Sequence, residues 1–85
     1  MISPGEEPRV LVYGRSGCHL CDVAKEVVES VCGELDERYV EVDIDSAADL
    51  VARYGEAIPV ILVDGVQIAQ WRVGADQLRR ALAGG

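Results

Sequence analysis

The sequence predicts an α/β fold in which helices flank a four-stranded mixed sheet, in the order β-α-β-α-β-β-α. Two observations carry this prediction. Short β-branched runs alternate with segments of helical periodicity in the first half of the chain. This alternation favours parallel pairing of the first strands. Asp64-Gly65 lies between two further β-branched runs, which indicates a hairpin and an antiparallel finish.

The first half of the chain supplies a strand, a helix and a second strand. Residues 9–13 form a β-branched run followed by Gly14, which predicts a buried strand. Apolar residues at three- and four-residue steps predict a helix over about residues 18–32, with Gly33 as its stop. Residues 39–44 alternate apolar and acidic side chains, as expected of a half-buried strand. The apolar stripe predicted for the helix comprises Leu20, Val23, Ala24, Val27, Val28, Val31 and Cys32.

The second half supplies a short helix, the hairpin and a last helix. Asp45 or Ser46 is expected to cap the short helix, which ends near residue 54 before Gly55. The hairpin strands are predicted over residues 60–63 and 66–69, and an amphipathic helix over about residues 75–83.

Composition excludes several classes of function. The 85 residues suit one small domain, predicted over residues 9–83 after a disordered tail over residues 1–8. The formal net charge is −7, which argues against nucleic-acid binding. No apolar run approaches the ~20 residues that span a bilayer. The acidic, proline-containing start does not resemble a secretory signal, so we expect a cytoplasmic protein. In a reducing compartment, a close pair of cysteines is typically catalytic or metal-binding.

The segment Cys18-His19-Leu20-Cys21 places two thiols where a strand–turn segment enters a helix. Residues three apart lie on the same side of a helix, so the two sulfurs can form a disulfide. Cys18 at the helix start is expected to favour the thiolate, and Arg15 adds a positive charge nearby. His19 either adds a second positive charge when it is protonated or simply faces solvent. Cys21, one turn inside, is expected to be shielded and to keep its proton.

This asymmetry predicts thiol–disulfide exchange. Cys18 attacks a substrate disulfide, and Cys21 then attacks Cys18 and releases the reduced substrate. No metal or organic cofactor is required. Cys32 lies about 16 Å from the pair along the helix. We predict that it is a buried apolar side chain; the alternative is a thiol exposed at the surface. Trp71 is read as core packing, or else as part of the cleft near Pro59.

The chain resembles the thioredoxin superfamily, and the small bacterial glutaredoxin-like proteins in particular. The residues that carry the resemblance are those at 10–21 (VLVYGRSGCHLC), Ile58-Pro59-Val60 and Val63-Asp64-Gly65. The resemblance implies a thioredoxin-like fold with a cis Pro59 that faces the cysteine pair. It also implies that the backbone at Ile58 hydrogen-bonds the substrate and that Arg15 contacts a glutathione carboxylate. Ala69-Gln70 and Arg72 replace the Gly-Gly pair and aspartate that hold glutathione in the family.

The expected partners are a disulfide-bonded protein or a low-molecular-weight disulfide. Glutathione, another small thiol or thioredoxin reductase is the expected reductant, and the protein is expected to act as a monomer. Two alternatives stay open at this point. One is a binding or assembly module, which includes two chains sharing an iron–sulfur cluster or zinc through their cysteines. The other is an electron donor devoted to one enzyme.

Overall fold

The computed structural model describes residues 8–84. Within them, four strands and three helices follow one another in the predicted order. The predicted tail over residues 1–8 lies outside the described residues apart from Pro8. No helix in the described range is both long and apolar enough to cross a membrane. The strands are β1 (Val10–Gly14), β2 (Tyr39–Asp43), β3 (Val60–Val63) and β4 (Val66–Gln70), and the helices are α1 (His19–Leu35), α2 (Ala48–Tyr54) and α3 (Ala75–Gly84).

The strands form one mixed sheet in the order β2-β1-β3-β4. β1 pairs in parallel with β2 and antiparallel with β3, which in turn pairs antiparallel with β4. Tyr13 is opposite both Val42 and Val60, and Val60 is opposite Gln70. One end of the sheet therefore collects the ends of β1, β2 and β4 and the start of β3. Because the loop to α1 leaves from here, we refer to it as the α1 end of the sheet.

Helices cover both faces of this sheet. On one face, α1 and α3 pack on the side chains of alternate strand residues, and Val28, Val31 and Leu78 are fully buried there. Burying each such side chain contributes roughly 1.5–3 kcal/mol. Tyr13 points to the opposite face, because neighbouring strand residues alternate. Its ring stacks on Tyr54 of α2 at 4.6 Å between centroids. The mixed four-stranded fold predicted from the sequence is thus confirmed.

Helix α1 is longer than predicted, and Gly33 does not stop it. Gly33 lies inside the helix and is exposed to solvent. An internal glycine costs about 1 kcal/mol relative to alanine, which the buried face of a long helix outweighs. The residue that ends α1 is Asp36, in the left-handed conformation with φ 56°. The following Glu37 N–H donates to the Cys32 carbonyl at 2.8 Å and closes the last turn.

The apolar stripe of α1 differs from the prediction at one position. Val23 is 44% exposed, whereas Cys21 points inward with Ala24 and Val28. The three- and four-residue spacing predicts Val23 on the inner face, but it lies at the margin of the stripe and faces solvent. The buried face of α1 begins at Cys21 and continues at three- and four-residue steps through Ala24, Val28 and Val31.

The predicted caps of α2 are also wrong. Its N-cap is Ala47, with no side-chain hydrogen bond. Asp45 and Ser46 belong to a 3₁₀ turn, Ile44–Ser46, in which the Asp43 carboxylate accepts from the Asp45 N–H at 2.9 Å. Ile44, which the sequence predicts as the last residue of the strand, begins this turn and is fully buried. Gly55 follows α2 as predicted.

Candidate functional site

Cys18 is the N-cap of α1. Its backbone is extended, and its Sγ accepts a hydrogen bond from the Cys21 N–H at 3.2 Å. The Cys18 sulfur therefore takes the place that a serine or aspartate oxygen usually fills at a helix start. Unpaired N–H groups at this position favour negative charge. Gly17 provides the turn before it with φ 80°, which glycine adopts without strain.

Cys21 lies one turn further along α1 and is 7% exposed. Burial, together with its hydrogen bond to Cys18, raises the pKa of the Cys21 thiol to about 11. Cys18 is only half-buried, and neither cysteine is in a disulfide. The structure thus brings together a half-buried Cys18 and a buried Cys21 whose raised pKa favours the protonated thiol. The roles predicted for the two cysteines stay predictions.

The backbone of β1 approaches the inner thiol closely at Gly14. A Cβ atom at this position would lie 3.0 Å from the Cys21 Sγ and 3.3 Å from its Cβ. Such contacts are tighter than nearly all that a real Cβ makes, so the Cys21 side chain would have to shift by a few tenths of an ångström. Glycine at this position is therefore part of the site, although the sequence alone marks it only as the end of a strand.

Replacing Gly14 with alanine is expected to displace the Cys21 side chain and lower the free energy of unfolding by about 1–3 kcal/mol. The matched control is Gly33→Ala in α1, where a Cβ meets no atom within 4 Å. That change is expected to stabilise the protein by about 0.5–1 kcal/mol. Urea unfolding of the reduced proteins measures both. Equal stability of Gly14→Ala and the wild type would contradict the close approach.

Arg15 is held by an acidic residue that follows β2. Its Nη2 donates to Asp45 Oδ1 at 2.6 Å and its Nε to Oδ2 at 3.3 Å. This pair raises the pKa of Arg15, to which Cys18 also contributes, and lowers the pKa of Asp45. The positive charge predicted beside Cys18 is thus present but partly neutralised. The sequence predicts Asp45 as a helix cap and not as a partner of Arg15. The two residues meet because β1 and β2 pair in parallel and end together.

His19 is the first residue of α1 and is exposed. Its imidazole takes part in no hydrogen bond or ion pair with residues 8–84. The structure therefore places it in solvent beside Cys18. Its tuning of Cys18 stays a prediction.

The peptide bond between Ile58 and Pro59 is cis, as the family resemblance implies. Pro59 is buried and Ile58 half-buried. Because Pro59 directly precedes β3, both residues lie at the α1 end of the sheet, with Cys18 and Arg15. The predicted site residues therefore come from separate parts of the chain to one end of the fold.

Trp71 is not a core residue, although core packing is one of the two positions that the sequence predicts for it. It is 51% exposed and has a φ of 66°. Its N–H donates to the Pro59 carbonyl at 2.8 Å, and its indole Nε1–H to the Glu56 carbonyl at 2.9 Å. β4 ends just before Trp71, and Val73 fills the core instead. The alternative position, beside Pro59, is the one that the structure shows.

A cavity of about 350 Å³ lies between α1, β1 and β2 and reaches Cys21. Arg15, Asp22 and the ion pair of Lys25 with Glu41, at 3.4 Å, contribute to its lining. The cavity therefore adjoins the Cys21 side chain, which is otherwise buried. Cys32 is 1% exposed, consistent with a buried hydrophobe, and burial raises its pKa.

Among residues 8–84, no group of three or more His, Cys, Asp or Glu side chains is arranged to hold a metal ion.

Comparisons with known proteins agree with this geometry. A family model described as "Glutaredoxin-like domain (DUF836)" matches residues 9–83. An uncharacterized protein of Mycobacterium tuberculosis, Rv0508, is 32% identical over 81 residues, which cover 89% of this chain and 84% of the relative. The X-ray structure of protein XcR50 from X. campestris has a TM-score of 0.74 at 30% identity and covers 89% of this chain and 97% of that chain.

The holo form of glutaredoxin C1 from Populus tremula x tremuloides is similar in fold alone. Its TM-score is 0.63 at 21% identity, over 91% of this chain and 74% of that chain. Fold and family thus agree with the thioredoxin-like, glutaredoxin-like character predicted from the sequence, and the close cysteine pair fits a redox role. This chain belongs to the glutaredoxin-like domain family.

Proposed function

We propose that this protein is a thiol–disulfide oxidoreductase that works through Cys18 and Cys21. One observation carries the proposal, namely the unequal environment of the two sulfurs. Cys18 is half-buried and accepts a helix-terminal N–H, whereas Cys21 is only 7% exposed, with its pKa raised to about 11. A nucleophile must be exposed and ionised, and a resolving thiol must wait until the first step is complete.

The exchange takes place in two steps. The Cys18 thiolate attacks one sulfur of a substrate disulfide, whose S–S bond breaks as the other half leaves as a thiolate. The Cys21 thiol then loses its proton to water in the adjacent cavity and attacks the Cys18 sulfur. The mixed disulfide breaks, the second half of the substrate leaves reduced, and two electrons have passed from the protein. The protein retains a Cys18–Cys21 disulfide.

A reductant must then return two electrons to this disulfide. We propose a low-molecular-weight thiol such as glutathione, or thioredoxin reductase, in this role. The substrate is a disulfide-bonded protein or a small disulfide, held along the backbone at Ile58 and Pro59. The reducing cytoplasm suits a working dithiol, and the chemistry needs only one protomer.

The test is catalysed turnover of two disulfides, insulin and oxidised 2-mercaptoethanol, with dithiothreitol as the electron source. We expect the wild type to accelerate both reactions over the uncatalysed rate. Cys32→Ala, the matched control, is expected to retain the wild-type rate because Cys32 is buried away from the pair. A chain that binds a protein partner, zinc or an iron–sulfur cluster but turns over neither disulfide would contradict the proposal.

A further inference from the structure

Trp71 and Arg72 form an exposed corner directly after β4, which we refer to as the Trp–Arg corner. Gln70, the last residue of β4, is opposite Val60, and Val60 is opposite Tyr13 of β1. The corner is therefore two strand spacings from β1, about 10 Å across the sheet. It lies at the α1 end, where the loop carrying Cys18 begins. The corner and Cys18 therefore lie at the same end of the sheet.

The indole of Trp71 is fixed although it is half exposed. The Nε1–H bond to the Glu56 carbonyl and the N–H bond to the Pro59 carbonyl anchor the residue at both ends. Its backbone is in the left-handed region, with φ 66°, which non-glycine residues rarely adopt. Asp36 and Asp64 also have positive φ values, but they end a helix and form a hairpin turn. Trp71 does neither, and strain of this kind concentrates at functional sites.

The guanidinium of Arg72 is available to a ligand. Its side chain forms no hydrogen bond or ion pair with residues 8–84, and it is exposed. The Glu56 carboxylate, in the loop that holds the indole, forms no ion pair with it either. Most other basic side chains are engaged: Arg9, Arg15, Lys25 and Arg79 form ion pairs, Arg53 lies over the Tyr54 ring, and Arg80 donates to a carbonyl.

An available cation is unusual in a chain with 15 acidic and 8 basic residues. We propose that the Trp–Arg corner selects disulfide substrates that carry a carboxylate. Arg72 pairs with the carboxylate, since guanidinium and carboxylate form charge-assisted hydrogen bonds. Trp71 packs its rigid face on the chain that joins the carboxylate to the sulfur. This inference rests on the proposed exchange at Cys18 and deepens it by naming the substrate class.

The test compares kcat/KM for three small disulfides of similar size: neutral oxidised 2-mercaptoethanol, anionic 3,3′-dithiodipropionate and cationic cystamine. For each substrate, kcat/KM of the variant is divided by kcat/KM of the wild type, so that the intrinsic reactivity of the disulfide cancels. For Arg72→Gln we expect a loss of about fivefold on the anionic substrate, with the neutral one within about twofold. For Arg72→Glu we expect a larger loss on the anionic substrate and a gain on the cationic one.

Trp71→Ala is expected to raise KM for the anionic substrate more than it lowers kcat, because the indole orients the substrate and takes no part in the chemistry. Arg80→Gln, on the exposed side of α3, is the matched control. Its kcat/KM should equal that of the wild type for all three disulfides. Urea midpoints verify that each variant folds; if Trp71→Ala does not, Trp71→Phe replaces it.

Equal ratios on all three substrates for both Arg72 variants would overturn the inference. The wild type would then still turn over the neutral disulfide, and the proposed exchange would stand. Failure of the wild type on every disulfide would instead contradict the proposed function. The two failures are thus distinguishable in one set of rates.

Discussion

Replacing Cys18 with serine is expected to reduce disulfide turnover by at least about 10³-fold, to the uncatalysed rate. A serine hydroxyl is not ionised near neutral pH and does not open a disulfide. The fold should survive because serine is a favoured N-cap, and its oxygen can accept the Cys21 N–H that the Cys18 sulfur accepts at 3.2 Å. The effect is therefore chemical.

Turnover of insulin and oxidised 2-mercaptoethanol measures this loss, and the urea midpoint of the reduced variant verifies the fold. Cys32→Ala serves again as the control, since it also removes one thiol from α1. Substantial turnover by Cys18→Ser would show that another thiol is the nucleophile, and it would exclude the mechanism proposed above.

Replacing Cys21 with serine is expected to stop the second step and leave the substrate bonded to Cys18. Without a resolving thiol, the mixed disulfide persists when no free thiol is added. Oxidised 2-mercaptoethanol in modest excess, followed by acid quenching and peptide mapping, should find one hydroxyethylthio group on Cys18. Because Cys21 is 7% exposed, a serine hydroxyl there is buried and costs about 1–3 kcal/mol if unpaired. Cys21→Ala is therefore made in parallel and should give the same adduct.

The pH dependence of the second step follows from the burial of Cys21. Burial is the largest cause of the raised pKa of Cys21, and we expect it to persist in the mixed disulfide, where the hydrogen bond to the free Cys18 sulfur is lost. The thiolate fraction therefore grows about tenfold per pH unit below that pKa. In single-turnover experiments, release of the second substrate thiol should accelerate from pH 7 to pH 9. A rate independent of pH in this range would indicate that Cys21 is not the resolving thiol or that proton loss does not limit the step.

The elements that the sequence predicts best are those whose signals are local. The hairpin follows from β-branched runs on either side of Asp64-Gly65, and its first strand has the predicted bounds. The position of the cysteine pair at the start of α1 is predicted correctly because a strand, a glycine-containing turn and a helix follow one another within about a dozen residues. The end of α1 is missed because tertiary burial carries the helix through Gly33.

What the sequence does not predict depends on the pairing of distant strands. Arg15 meets Asp45 only because β1 and β2 are parallel neighbours that end together. Gly14 touches Cys21 only because α1 packs down on the end of β1. Trp71 lies outside the core because β4 ends at Gln70, directly before it, and Val73 takes the buried position. None of these contacts has a signature within its own segment.

The most direct test is the order in which the wild-type thiols react. Reduced protein is mixed with one equivalent of oxidised 2-mercaptoethanol and quenched with acid at successive times, and its cysteines are mapped by mass spectrometry. The account predicts an adduct on Cys18 that appears first and decays as a Cys18–Cys21 disulfide forms, with Cys32 free throughout. A first adduct on Cys21 or Cys32, or a Cys18 adduct that never passes to the disulfide, would contradict it.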